Sequence, residues 1–265
     1  MREPLAGRAA VVTGAAHGIG RALAAELVAR GARVALLDRD AEALESARAA
    51  LGRDTAAWGC DVTDAERCAA VIAEVIERFG GVDVLVNNAG MSHHSLAADT
   101  ALSVTRKVMD VNFFGAVHCT LAALPSLRAR RGVVVAMSSV AGFAPLVGRT
   151  AYAASKHALH GWFDSLRAEL ADDGVAVMVV CPSFVNTDID RRALTGDGHA
   201  GFTRRPIGKL ARPEDIARAV VDGVERRQRL LVPTGVAKAS LWLSRLAPPI
   251  YERVMRKQQA GRYRG

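Results

Sequence analysis

Short apolar runs alternate with segments of helical periodicity along most of the chain. The apolar runs are rich in β-branched residues, and such runs are typical of strands that are buried on both faces. Strands are therefore predicted over residues 9–13, 33–37, 55–60, 82–86, 132–137, 175–180 and 230–232. Amphipathic patterns predict helices over residues 21–30, 65–79, 102–130, 152–171 and 213–227.

This alternation predicts an α/β fold, in which a single doubly wound domain holds a seven-stranded, mainly parallel sheet with helices on both faces. Half of the 265 residues are hydrophobic, which is enough for a large buried sheet. We expect the main domain to occupy residues 1–235. Residues 236–265 form a basic amphipathic extension that either belongs to the same domain or covers a pocket or an interface.

The net charge of +8 is concentrated at one end of the chain. From Arg191 onward there are 17 Lys/Arg and 6 Asp/Glu, whereas residues 1–190 hold 18 and 21. Such an asymmetry could attract an anionic substrate, a membrane surface or nucleic acid, or could simply keep the surface soluble. Nucleic acid is not expected, because the basic end lacks the interleaved aromatic platforms that bind bases.

The extension repeats an apolar pattern on either side of a Pro-Pro pair at residues 248–249. The apolar positions that fall on helical faces are Ala239, Trp242, Leu243 and Leu246, followed by Ile250, Tyr251, Val254 and Met255. Basic residues lie largely between them, as in helices that rest on an anionic bilayer. The same pattern also suits a helix that folds back over a pocket or packs on another subunit, and we favour these two interpretations over membrane contact.

A glycine-rich segment follows the first predicted strand and opens the first predicted helix. Gly14, Gly18 and Gly20 would let the backbone turn tightly and approach a pyrophosphate, whose charge the helix N-terminus would meet. The spacing is Gly-x-x-x-Gly-x-Gly rather than the commoner dinucleotide fingerprint, and a purely structural turn is the alternative. The strand before it and the helix after it favour a dinucleotide site.

Asp38 ends the second predicted strand at the distance along the chain where a carboxylate accepts the ribose hydroxyls of NAD. An acid at this position disfavours the 2′-phosphate of NADP. The nearby His17 and Arg39 could soften that preference. NAD is therefore the expected cofactor, with NADP as the alternative.

Tyr152 and Lys156 stand four residues apart in Tyr-Ala-Ala-Ser-Lys and share a face of a predicted helix. The ammonium is expected to favour the ionised phenol, so that Tyr152 can move protons near neutral pH. Ser139 precedes the tyrosine and could steady the charge that develops on a reacting oxygen. An ordinary exposed helix pair and a polar strand end are the alternatives.

Together these motifs resemble the short-chain dehydrogenase/reductase family, and the resemblance runs from about Gly7 to Pro233. It includes Asp61-Val62, Asn87-Asn-Ala-Gly90, Asn112 and the segment from Cys181 to Thr187, in which Ser183 replaces the usual glycine. The resemblance implies four catalytic residues, which are Asn112, Ser139, Tyr152 and Lys156. It implies cofactor contacts from Gly14, His17, Gly18, Ile19, Gly20, Asp38, Arg39, Asp61, Val62, Asn88, Ala89, Gly90, Tyr152, Lys156, Pro182, Val185 and Thr187.

The family resemblance implies an NAD(H)-dependent oxidoreductase that interconverts a secondary alcohol and a ketone, and a homodimer or homotetramer. The tail resembles that of members acting on lipophilic substrates such as steroid-like or long-chain alcohols. One alternative is an NADPH-dependent carbonyl or 3-ketoacyl reductase. Another is a non-catalytic dinucleotide-binding sensor or scaffold. No metal site is predicted, because His93 and His94 lack further ligands at a suitable spacing.

The compartment is predicted from the first ten residues and the cysteines. Residues 1–10 do not read as a secretory leader, so a cytoplasmic location is expected. The four cysteines form no Cys-x-x-Cys pair and are expected to be reduced thiols in the core.

Overall fold

A computed structural model describes residues 3–201 and 210–259 of the protein. Its centre is a seven-stranded sheet in the order β3-β2-β1-β4-β5-β6-β7, and every pairing is parallel. The strands are β1 Ala9–Thr13, β2 Arg33–Asp38, β3 Thr55–Gly59, β4 Val84–Asn87, β5 Val133–Met137, β6 Ala176–Val180 and β7 Leu230–Leu231. This confirms the doubly wound α/β fold and each of the seven predicted strands.

The strand order reverses between β1 and β4, which pair in the middle of the sheet. In open parallel sheets a crevice forms at such a reversal, outside the carboxyl ends of the strands. The glycine-rich segment follows β1 and the Asn-Asn-Ala-Gly segment follows β4. The topology therefore brings these two motifs to the same crevice.

The helices are α1 Gly18–Ala29, α2 Ala41–Leu51, α3 Ala65–Phe79, α4 Leu102–Met109, α5 Gly115–Arg130, α6 Thr150–Glu169, α7 Pro213–Glu225, α8 Gly235–Leu246 and α9 Pro248–Gln259. One buried layer contains residues of α3, α5 and α6, and the other contains residues of α1, α2 and α7. Helix α2 was not among the predicted helices.

One π-helical turn, Asp110–Phe114, joins α4 to α5, so residues 102–130 form a nearly continuous helical segment. By length and composition alone this segment could cross a membrane. In the structure, however, α5 packs against α3 and β4, and α4 packs against α6. The segment is therefore a helical element that packs against the core of the domain.

Helices α8 and α9 pack against the body of the domain through a small apolar cluster. Ala237 of α8 and Tyr251 of α9 are buried there with Val140 and Ala144, which lie just after β5. The predicted extension thus covers the region beside the strand ends. Its residues 260–265 lie outside the described part of the chain.

Candidate active site

A cavity lies at the carboxyl ends of the central strands. Its lining comprises Gly14, His17, Gly18, Ile19, Asp38, Arg39, Cys60, Asp61, Val62, Asn88, Ala89, Gly90, Met91, Val111, Thr187, Asp188, Ile189 and Arg192. Most of the residues predicted to contact a cofactor therefore line this one cavity. Among the described residues, Gly20, Tyr152, Lys156, Pro182 and Val185 were also predicted but do not line this cavity.

The glycines of the first loop are required by close backbone approach. Gly14 has φ +65°, and a Cβ on it would lie 2.9 Å from the Cα of Ala89. A Cβ on Gly20 would overlap the carbonyl oxygen of Gly14. Helix α1 begins at Gly18, so its first amides have no partners within the helix and point toward the cavity end. This arrangement fits the binding of a phosphate group.

The carboxylate of Asp38 is fixed by two backbone amides. One of its oxygens accepts a hydrogen bond from Ala16 N at 3.0 Å, and the other accepts from Asp40 N at 3.1 Å. These bonds hold an anionic group at the cavity wall at the end of β2. His17 Nε2 lies 2.9 Å from Asp40 Oδ2 and 3.2 Å from the Arg192 guanidinium, so one cation, Arg192, also lies close to this end.

The loop after β4 is held between the glycine loop and α6. The side-chain amide of Asn88 donates to the carbonyl oxygen of Thr13 at 2.9 Å. A Cβ on Gly90 would lie 3.2 Å from Asn112 Oδ1 and 3.6 Å from Lys156 Nζ. Gly90 lines the cavity, and it therefore marks the place where the cavity meets the predicted catalytic residues.

Asn112 lies in the π-helical turn, and its side chain is fully engaged. Oδ1 accepts from Met91 N at 2.7 Å, while Nδ2 donates to Met91 O at 3.0 Å and to Ser155 Oγ at 2.9 Å. The Ser155 hydroxyl in turn donates to the carbonyl oxygen of Tyr152. Asn112 thus fixes the loop after β4 to α6, and this is a positioning role.

Tyr152, Lys156 and Ser139 are brought together as the spacing predicts. Tyr152 is buried, and the side chain of Ser139 lies close enough to its phenol to oppose the increase in pKa. The ammonium of Lys156 lies 5.7 Å from the Tyr152 ring centroid and donates to the carbonyl oxygen of Met137 at 2.8 Å. Both side chains are nearly inaccessible to solvent.

The prediction that the pKa of Tyr152 is lowered, with Lys156 as the cause, is wrong for the protein without a bound nucleotide. Burial raises the pKa of the Tyr152 phenol, and this outweighs the opposing effects of the Arg149 guanidinium and the nearby Ser139 side chain. Burial also lowers the pKa of Lys156 to about 8. The cation that favours the ionised phenol is Arg149, which the sequence did not single out.

The segment after β6 differs from the family pattern at Ser183. Its hydroxyl lies 2.7 Å from that of Thr234, which caps the N-terminus of α8 by accepting from Ala237 N. The substitution therefore ties the site to the C-terminal helices. Pro182 accepts a hydrogen bond from Val140 N, and Val185 pairs with Ala211. Thr187 is the predicted cofactor residue of this segment that reaches the cavity.

Several cavity residues were missed by sequence reasoning, namely Cys60, Met91, Val111, Asp188, Ile189 and Arg192. All but Ile189 and Arg192 are direct chain neighbours of a predicted residue, so adjacency to the motifs was an available signal. The cysteines are free and buried as predicted. Cys60, Cys68 and Cys119 form a cluster, with Sγ to Sγ distances of 3.8 and 3.7 Å.

A family model described as short chain dehydrogenase matches residues 8–197. Dehydrogenase/reductase SDR family member 7B of Rattus norvegicus is 36% identical over 257 residues, which span 92% of this chain and 79% of the relative. The protein of the same name from Xenopus tropicalis is 38% identical over 253 residues, with 91% and 82% of the two chains covered.

Two solved structures share the fold. A short-chain dehydrogenase from Streptomyces avermitilis superposes with a TM-score of 0.81 at 30% identity, covering 96% of this chain and 98% of the other. A short-chain dehydrogenase/reductase from Burkholderia phymatum, solved in complex with NAD, gives a TM-score of 0.83 at 24% identity, with 93% and 96% covered.

Proposed function

Because the chain belongs to the short-chain dehydrogenase/reductase family and is an oxidoreductase of that family, we propose that it interconverts a secondary alcohol and a ketone with NAD(H). One observation carries this proposal. The buried Tyr152 lies beside Ser139 and Lys156, and the Lys156 ammonium approaches Gly90, which lines the cavity together with the glycine loop.

The residues present fit a nicotinamide dinucleotide. Gly14, Gly18 and the first amides of α1 would hold its pyrophosphate, and the Asp38 carboxylate would accept the adenosine ribose hydroxyls. Lys156 and Thr187 would contact the nicotinamide end. When bound, the dinucleotide would accept or supply the hydride.

Tyr152 would transfer the proton. Because its pKa is raised by burial, the phenol is protonated at neutral pH, the state that is required to protonate a carbonyl oxygen during reduction. In the oxidising direction Tyr152 must first lose that proton and then take the one on the alcohol. Ser139 would hold the substrate oxygen, since its side chain lies beside the phenol.

NAD is favoured over NADP by the carboxylate of Asp38. Both its oxygens are held by backbone amides, so the charge cannot turn away from a 2′-phosphate. Arg39 and Arg192 also line the cavity and oppose this preference. An NADPH-dependent carbonyl or 3-ketoacyl reductase therefore remains the second candidate.

A lipophilic substrate, such as a steroid-like or long-chain alcohol, is part of the proposal. Helices α8 and α9 pack on Val140 and Ala144, which follow Ser139 in the chain, so a buried apolar cluster lies beside the segment that carries Ser139. Turnover confined to small polar sugars would remove this part. A homodimer or homotetramer is also proposed, with the exposed Phe114 and Leu121 near the contact. The free buried cysteines agree with the proposed cytoplasmic location.

A spectrophotometric screen of alcohols and ketones with both nicotinamide cofactors tests the proposal. Oxidation of lipophilic secondary alcohols with NAD, or reduction of the matching ketones with NADH, is expected. Turnover only with NADPH would favour the second candidate. Tight nucleotide binding with no turnover across the panel would favour a dinucleotide-binding sensor or scaffold.

A further inference from the structure

The outermost positions of the two C-terminal helices are occupied by large apolar side chains. The exposed fractions are 64% for Trp242 and 77% for Leu246 on α8, and 52% for Ile250 and 37% for Val254 on α9. These four residues follow one another at intervals of four along the chain. Exposed helix positions are normally polar, because an apolar side chain that stays in contact with water does not stabilise the fold.

The opposite faces of the same helices already have partners. Ala237 and Tyr251 are buried in the cluster beside Val140, and Leu243 and Met255 pack against it. Thr234 caps α8 and contacts Ser183. The core-facing side of both helices is therefore already packed against the domain. The exposed apolar residues lie on the opposite side.

Basic side chains accompany the exposed apolar residues. The exposed cations of α8 and α9 are Lys238, Arg245, Arg253, Arg256 and Lys257, and Glu252 is the one acidic residue between Gly235 and Lys257. Helices that lie on a lipid bilayer carry this combination of residues. Their apolar side chains and tryptophan enter the upper acyl region, and their cations contact the headgroups.

A second copy of the chain is a poorer match for this surface. In a two-fold contact the same patch would face itself, and its five cations would repel one another. An anionic bilayer complements them instead. The exposed Leu102, Phe114 and Leu121 on the α4–α5 segment offer a separate apolar face for subunit contact.

We propose that α8 and α9 dock the protein on an anionic lipid bilayer, with Trp242, Leu246, Ile250 and Val254 entering the interface and the cations lying against the headgroups. Binding of this kind does not depend on the proposed reaction, so the two can fail separately. Docking would also bring the segment that carries Ser139, which α8 and α9 cover, close to the lipid surface.

Sedimentation with phosphatidylcholine vesicles, with and without phosphatidylserine, tests the proposal on the full chain. We expect binding to vesicles that contain phosphatidylserine, weaker binding to phosphatidylcholine alone, and release as salt increases. The double variant Trp242→Ser/Leu246→Ser should lower the partition coefficient on the order of tenfold or more. Each of Arg253→Gln and Lys257→Gln should lower it about fivefold.

The matched control is Leu230→Ser, which removes an exposed apolar residue of β7 outside both the docking helices and the proposed subunit contact, and it should leave vesicle binding unchanged. Tryptophan fluorescence gives a second readout, because only Trp242 of the three tryptophans is exposed, and its emission should shift to the blue on vesicles. The proposal is overturned if the wild-type protein ignores anionic vesicles. It is also overturned if the Trp242→Ser/Leu246→Ser variant binds them as well as wild type, or loses subunit association instead.

Discussion

The guanidinium carbon of Arg149 lies 5.6 Å from the ring centroid of Tyr152, three residues away at the start of α6. Arg149 is itself buried, and it donates hydrogen bonds to Ser92 Oγ at 3.0 Å and to Asp190 Oδ1 at 2.6 Å. His94 Nε2 also lies 2.7 Å from the guanidinium. The predicted catalytic tyrosine thus faces a cation that is tied to the loop after β4 and to the segment after β6.

Several charged or ionisable groups surround the Tyr152 phenol. Arg149 opposes the increase in pKa that burial causes, as does the nearby Ser139 side chain, while Asp190 and the Cys181 thiol act in the same direction as burial. Lys156 lies on the same helix, and burial lowers its own pKa to about 8. Arg149 is therefore the cation on which ionisation of Tyr152 depends.

Replacing Arg149 by Met should shift the pH profile of alcohol oxidation to higher pH. Oxidation requires the ionised phenol, and loss of the cation raises the Tyr152 pKa further. At a fixed neutral pH, kcat/KM should fall on the order of tenfold, because a cation at this distance contributes about 1–3 kcal/mol. Arg149→Lys should recover part of the shift. The measurement is kcat/KM for oxidation against pH.

Arg128→Met is the matched control, because it also breaks an arginine ion pair, with Asp173, at the far end of α5. Its pH profile should follow that of the wild-type protein. If Arg149→Met lowered the rate by the same factor at every pH, Arg149 would only hold the loops in place.

Replacing Asp38 by Asn should reduce the preference for NAD over NADP. The amide retains much of the shape of the carboxylate but removes the charge that repels a 2′-phosphate. The ratio of the two dissociation constants should move toward NADP on the order of tenfold or more, since facing like charges cost several kcal/mol. Nucleotide titration followed by fluorescence measures both constants.

Asp61→Asn provides the comparison, because Asp61 is a second carboxylate on the wall of the same cavity. Its removal should leave the ratio near the wild-type value. An equal change in both variants would mean that the general charge of the cavity, rather than Asp38, selects the cofactor.

Replacing Lys156 by Met should stabilise the protein most at neutral pH. Lys156 has its pKa lowered from 10.5 to about 8 by burial, so between these values the unfolded chain holds more protons and the free energy of unfolding rises with pH. Below pH 8 the wild-type protein is destabilised by the full cost of burying the charged lysine. This cost is roughly 3 kcal/mol at most. Urea unfolding of both proteins at several pH values measures the difference.

The advantage of the Lys156→Met variant should be constant below about pH 8 and should shrink as the pH is raised from 8 toward 10.5. Lys107→Met removes an exposed lysine of α4 and should give a difference that does not change with pH. A pH-independent difference for Lys156→Met would show that the lysine is not buried as a strained cation.

The sheet could be predicted from the sequence because its central strands β1, β4 and β5 are largely apolar runs, such as Ala9–Thr13, that are buried along their whole length. Helix α2 was missed, since it buries only Leu44 and Ala47 and its apolar stripe is narrow. Its end signals were present, with Asp40 as a side-chain cap and Gly52 after the last residue. These two capping signals predict helix α2.

The contact between Ser139 and Tyr152 could be expected because a family motif brings them together. The role of Arg149 could not, because its partners Ser92 and Asp190 are 57 and 41 residues away along the chain. The direction of the Tyr152 pKa was wrong for a related reason. Four-residue spacing indicates that Lys156 is near, but it does not reveal the cost of burying the phenol.

Turnover by a Tyr152→Phe variant tests the proposed chemistry most directly. Phenylalanine retains the ring beside Arg149 but removes the hydroxyl that would carry the proton. With wild-type and variant proteins shown to bind NAD equally, absorbance of the reduced cofactor should show that the variant loses about 10²- to 10⁴-fold in alcohol oxidation. Oxidation at the wild-type rate would contradict proton transfer by Tyr152.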